Sequence, residues 1–192
     1  MKLVLFGDSI TARREGHDRP LLTIKLEDKL RGNWEIINAG VPGNNTFDAL
    51  DRIENDVLVH NPDFVTVLFG ANDAALHKMV KLNDFERNLT DIVTAIIPEK
   101  TILISPAPVD EKIQHARTNA VLRQYAEGVR AISVSTGSHY IDLFTTMVGL
   151  QNLSEILKGL RNDGLHFGEL GYDYLSSMIS NELLFISERS FD

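Results

Sequence analysis

Leu3, Val4, Leu5 and Phe6 form an uninterrupted apolar run that stops at Gly7, Asp8 and Ser9. A surface strand alternates apolar and polar residues, whereas a strand covered on both faces reads as a continuous apolar segment. The run therefore predicts an interior strand of a parallel sheet. Gly7 permits a tight turn, and Asp8, Ser9 and Thr11 are small polar residues that satisfy backbone N–H groups where a helix or turn begins. A capped strand end accounts for these residues when they are taken alone. A second reading places Ser9 in the crevice that open α/β sheets form beyond the carboxyl ends of their strands.

The same pattern recurs along the chain. Leu21, Leu22, Leu26 and Leu30 mark an amphipathic helix over 19–31, EIINAG at 35–40 reads as a strand, and Thr46 is placed to cap a helix carrying Phe47, Leu50, Ile53, Val57 and Leu58. FVTVLFG at 64–70 returns to strand. Asn83 and Glu86 have the spacing of a capping box before Phe85, Leu89, Ile92, Val93 and Ile96. TILIS at 101–105 is the fourth strand, a helix is expected over roughly 114–135, HYIDL at 139–143 is the fifth strand, and the last helix spans about 169–187. Strands alternating with helices imply βαβ units and a parallel sheet of about five strands between helices. Segments 74–82, 106–113 and 144–162 read as irregular or weakly helical, and as loops that shape a pocket.

With 192 residues and no repeat, low-complexity tract or linker, the expectation is one domain over 1–192. A net charge of −8 disfavours nucleic acid and anionic membrane as partners. There is no cysteine, which excludes disulfide and thiolate chemistry. Only four apolar residues separate Lys2 from Gly7, too few for a signal-peptide core, and no run approaches the ~18 apolar residues of a membrane span. A cytoplasmic protein is expected, with no membrane association; oligomeric state is left open.

In a parallel sheet the residues after each apolar run gather along one edge, joining GDS at 7–9, NAGVPGNNT at 38–46 and GAND at 70–73, with DGLH at 163–166 before the last helix. A serine hydroxyl needs a base to take its proton, and the base needs a carboxylate to fix its ring. Ser9, His166 and Asp163 supply those three groups. Charge developing on a substrate carbonyl needs preorganised donors; Gly40 and Asn72 suit that role, while a turn requirement and loop capping are their alternatives. Gly43, Asn44 and Asn45 are expected to shape the turn and cap the next helix. His17, His60, His77, His115 and His139 read as structural or surface histidines.

These four blocks, in this order, resemble the GDSL, or SGNH, hydrolase family over residues 5–172. GDSIT has Ile10 in the usual leucine position, and DGLHFGELGY resembles the histidine block. The resemblance implies a three-layer α/β/α sandwich with a flavodoxin-like parallel sheet, and a cofactor-free, metal-free serine esterase acting on a small-molecule ester through an acyl-enzyme. It implies Ser9 as nucleophile, His166 as base and Asp163 as orienting acid. The oxyanion hole would comprise the N–H groups of Ser9 and Gly40 and the side chain of Asn72, with Asp8 and Asp73 organising the loops. GANDA at 70–74 with LISPAPVDE at 103–111 looks like the isoamyl acetate-hydrolysing esterase branch, from whose proline-rich turn Ala107 departs.

Two rivals remain. A metallophosphoesterase would use Asp8, Asp73, Asp163 and His166 as ligands, although the histidine-rich blocks of such enzymes are missing, Tyr140 and Ile141 following His139. A noncatalytic module would use the same cleft to bind an acylated ligand or sugar.

Overall fold

The computed structural model describes residues 1–30, 32 and 34–189. Strand β1 (Lys2–Gly7) leads into a one-turn helix α1 (Ser9–Ala12), followed by α2 (Leu21–Leu30), β2 (Glu35–Gly40), α3 (Thr46–Asp56) and β3 (Phe64–Leu68). Then come α4 (Leu82–Ile96), β4 (Thr101–Ile104), α5 (Asn119–Thr136), β5 (His139–Ile141), the short helices α6 (Leu143–Val148) and α7 (Leu153–Ile156), and α8 (Glu169–Arg189). All five strands are parallel, in the order β2-β1-β3-β4-β5. This is the flavodoxin-like order, with its switch point between β1 and β3.

Leu3, Val4, Leu5 and Phe6 have no exposed surface. Val4 and Phe6 join one apolar cluster with Ile53 of α3, Leu89 of α4 and Val129 of α5. Leu3 and Leu5 join the other, with Leu22 and Leu26 of α2 and Leu175 and Ile179 of α8. Burial on both sides explains why β1 carries no polar alternation, and the result is the expected three-layer α/β/α sandwich.

Several boundaries differ from the sequence expectation. Of the two capping candidates for α3, the N-cap is Asn45, as expected of the 43–45 turn, and not Thr46: the Asn45 side chain accepts from the Phe47 and Asp48 N–H groups while Asp48 accepts from the Asn45 N–H. Thr46 is unavailable as a cap because its hydroxyl and N–H both donate to Asp73. Helix α4 begins at Leu82, before the Asn83 box, and its N-cap residue Lys81 makes no side-chain cap. Helix α5 starts at Asn119, capped by Thr118. Residues 114–118, expected to be helical, belong to an extended loop that Asn119 holds by bonding both the N–H and C=O of Val109. Strands β3, β4 and β5 each stop one or two residues early, and Asp142, past the end of β5, caps α6.

Candidate active site

Ser9 is the first residue of α1, immediately beyond the carboxyl end of the central strand β1. Gly7 is required there: a Cβ would overlap Thr11 and come within 2.9 Å of the Leu68 carbonyl oxygen. Asp8 caps α1 by accepting the Ile10 N–H at 2.9 Å. First-turn N–H groups lack helical partners. Among the described residues the Ser9 N–H has no protein acceptor, so it is free to face a ligand.

The histidine segment lies between α7 and α8. Ser9 Oγ is 2.8 Å from His166 Nε2, and His166 Nδ1 is 2.7 Å from Asp163 Oδ2. Asp163 Oδ1 accepts the Leu165 and His166 backbone N–H groups at 3.1 and 3.0 Å. Gly164, with φ of 71°, makes the tight turn that lets Asp163 reach the His166 ring from one side while the ring meets Ser9 on the other. Two ties hold this segment and the start of α8 against the Ser9 loop. Glu15, paired with Arg13, accepts the Leu160 N–H at 2.6 Å, and the Tyr172 hydroxyl donates to the Ile10 carbonyl at 2.7 Å.

Electrostatics favours one placement of the protons. Burial pushes the Asp163 carboxyl up, but hydrogen bonds from the His166 backbone and ring and from Leu165 outweigh it and hold the group below its ordinary value. The carboxylate is therefore ionised and keeps the histidine proton on Nδ1, leaving the Nε2 lone pair toward Ser9. Burial pulls the imidazole below its usual 6.5 against the upward pull of Asp163, with Arg13 and Arg161 adding to the lowering. Burial likewise drives Asp8 up to about 7, opposed by the Ile10 bond, while the Asp73 charge raises it and the Arg117 charge lowers it.

The loops that follow β2 and β3 lie beside Ser9. Asn72 is buried beside the site; its Nδ2 donates to the Asn44 carbonyl at 2.9 Å and to Asp8 Oδ2 at 3.3 Å. Asp73 is fully buried and binds Thr46 and the Gly70 N–H, so it ties α3 to the end of β3. The geometry for Gly40 differs. Its N–H donates to Asn38 Oδ1 at 3.0 Å, and a Cβ there would lie 2.6 Å from the Ala12 nitrogen. Gly40 thus serves close packing of β2 against α1, and its N–H is committed within the protein.

Gly43 lies three residues further on, in a different setting. Val41, Pro42, Gly43 and Asn44 form a turn closed by Asn44 N–H to Val41 C=O, with Pro42 and then a positive φ of 84° at Gly43, the pattern of a type II turn. Among the described residues the Gly43 N–H has no acceptor, and the turn is tethered to Asn72 through Asn44. Pro-Gly before two asparagines is the visible signal for this turn, but it does not reveal which N–H stays free. Sequence reasoning also passes over Arg52, which donates to the carbonyls of Gly7 and Ala39 beneath the site, and Arg117, which bonds Ala71 and Asn72. An isolated arginine carries no pattern that marks it.

Among the described residues no three His, Cys, Asp or Glu side chains converge as a metal site. The ligand set considered for a metallophosphoesterase is divided here: Asp163 and His166 bond one another, while Asp8 and Asp73 are buried in separate loop-capping networks. None of the described helices is long and apolar enough to cross a membrane.

Comparison with known proteins bears on the same segments. The profile of the GDSL-like Lipase/Acylhydrolase family matches residues 5–174. The Isoamyl acetate-hydrolyzing esterase 1 homolog of Mus musculus is 32% identical over 200 residues, covering 91% of this chain and 78% of the mouse protein. The crystal structure of a lipase/acylhydrolase from Enterococcus faecalis superposes with a TM-score of 0.89 at 33% identity, over 95% of this chain and 94% of that one. The acetyl xylan esterase AlAXEase superposes with a TM-score of 0.75 at 28% identity, over 93% of this chain and 98% of that one. Sequence and fold thus agree across nearly the whole chain, and the protein is an enzyme of the GDSL-like lipase/acylhydrolase family.

Proposed function

We propose that the protein hydrolyses short acyl esters by a serine mechanism. The observation that carries this reading is the continuous relay from Ser9 Oγ through the His166 ring to Asp163, at 2.8 and 2.7 Å. Ser9 Oγ attacks the carbonyl carbon as its proton passes to His166 Nε2. The oxyanion is met by the Ser9 N–H, the Asn72 Nδ2 and, in place of Gly40, the Gly43 N–H. The bond to the leaving oxygen breaks, His166 returns the proton to the departing alcohol, and an acyl-Ser9 ester remains. Water then attacks that ester, giving its proton to His166; collapse releases the acid and restores the Ser9 hydroxyl.

The acyl group we infer is small. Two of the relatives are named for acetyl esters, one of isoamyl alcohol and one of xylan, so the acetyl group is what their substrates share and the alcohol is what varies.

A fluorophosphonate probe tests the mechanism. Attack on phosphorus with loss of fluoride needs a hydroxyl activated by a base, so peptide mapping is expected to place the adduct on Ser9 alone, with His166→Ala labelling far more slowly. An adduct elsewhere, or unchanged labelling in the His166 variant, would overturn the relay.

The pH dependence follows from the burial of His166. The protonated ring cannot accept the Ser9 proton, so kcat/KM is expected to rise with pH along a limb centred below 6.5. Ionisation of Asp8 acts oppositely, since it adds negative charge beside the oxyanion donors, and cannot produce a rising limb. A kcat/KM profile with its rising limb centred above 6.5 would contradict this assignment.

A further inference from the structure

Arg117 lies in the loop between β4 and α5, is only 6% exposed, and takes no part in the steps above. Its Nε donates to the Ala71 carbonyl and its Nη2 donates to Asn72 Oδ1 at 3.0 Å. A side-chain amide has two ends of similar shape and opposite hydrogen-bonding sense, whereas a guanidinium only donates. Arg117 therefore accepts one orientation of Asn72, with the oxygen toward the arginine and Nδ2 turned away. Of the two Nδ2 contacts, the one to Asn44 at 2.9 Å is an ordinary hydrogen bond; the one to Asp8 at 3.3 Å is longer than the usual range and is the N–H an oxyanion can claim.

Charge points the same way. Asp8 and Asp73 bring two buried carboxyl groups beneath this loop, and an anion there opposes a developing oxyanion. Arg117 is the cation whose field acts on Asp8, and it feels the charges of both Asp8 and Asp163. A positive group on the amide oxygen also polarises the amide and strengthens its N–H donors.

We propose that Arg117 is a positioning residue for ester hydrolysis, which by its fork and its charge fixes and polarises the Asn72 amide with its N–H groups toward the oxyanion. The proposal rests on the reading of Asn72 as an oxyanion donor.

A double-mutant cycle tests both and tells them apart. Asn72→Ala alone is expected to lower kcat roughly 100-fold to 1000-fold with KM little changed. Arg117→Met is expected to lower kcat roughly 10-fold to 100-fold with KM within about 3-fold, because it breaks a contact inside one network. In the Asn72→Ala background the same change should alter kcat by less than about 3-fold, since no amide remains to be oriented. Arg117→Lys keeps the charge without the fork and should fall between wild type and Arg117→Met. Losses that multiply in the double variant, or a normal kcat in Arg117→Met, would overturn the role of Arg117 while leaving Asn72 standing. A normal kcat in Asn72→Ala would overturn the oxyanion reading and the proposal with it. If Arg117→Met lowers Tm too far to be assayed, the cycle run with Arg117→Lys separates the same outcomes.

Discussion

Ser9→Ala is expected to reduce kcat by a factor on the order of 10⁶, with the residual rate supplied by substrate binding and the oxyanion donors. The change deletes one oxygen, which bonds His166 Nε2 from a half-buried position. Alanine is well tolerated in a first helical turn, and the Asp8 cap, which acts through the Ile10 N–H, is untouched. Tm is therefore expected to stay within a few degrees of wild type, and the circular dichroism spectrum to be unchanged. Near-normal turnover in a pure, folded variant would remove Ser9 from the mechanism.

Asp163→Asn should cost about 10⁴ in kcat, for a reason of proton placement. An asparagine oxygen in the place of Oδ1 can still accept the Leu165 and His166 N–H groups, so the loop keeps its geometry. The amide nitrogen then faces Nδ1 as a donor and forces the histidine proton onto Nε2. In that tautomer the ring presents N–H to Ser9 and cannot take its proton. Single-turnover measurements of acylation read this step directly. A loss below about 10-fold would show that Asp163 does not set the tautomer.

The strands and the three residues of the Ser9–His166–Asp163 hydrogen-bonded chain are legible in the sequence because their signals are local. Each strand is a short apolar run, and Ser9, Asp163 and His166 each stand within a few residues of a strand end or a helix start. What the sequence obscures is decided by tertiary partners. Thr46 has the chemistry of a cap, yet Asp73 claims its hydroxyl and the role passes to Asn45. The segment 114–118 can be drawn as helix, yet Arg117 is drawn inward to Ala71 and Asn72 and Asn119 bridges back to Val109. The interval 144–162 reads as irregular because α6 and α7 are too short to show a period; their anchors are single buried side chains such as Phe144, Met147 and Ile156.

Gly40 illustrates a different limit. Two glycines lie three residues apart in one block, and both have reason to be glycine: Gly40 because Ala12 leaves no room for a Cβ, Gly43 because of its positive φ. Residue type reports the constraint on Cβ or φ. Only the hydrogen-bond partner of each N–H distinguishes the packing glycine from the one whose donor is free.

The Ser9–His166 contact joins positions 157 apart in sequence, and the Tyr172–Ile10 bond joins positions 162 apart. During synthesis Ser9 leaves the ribosome early, and all five strands of the sheet are made before His166 follows. Until α8 docks beside α2 the Ser9 hydroxyl lacks its His166 partner, so a nascent or truncated chain carries a chemically ordinary hydroxyl. On the serine mechanism proposed above, hydrolytic competence is confined to chains that have completed this long-range closure, and partly assembled chains do not acylate themselves on passing esters.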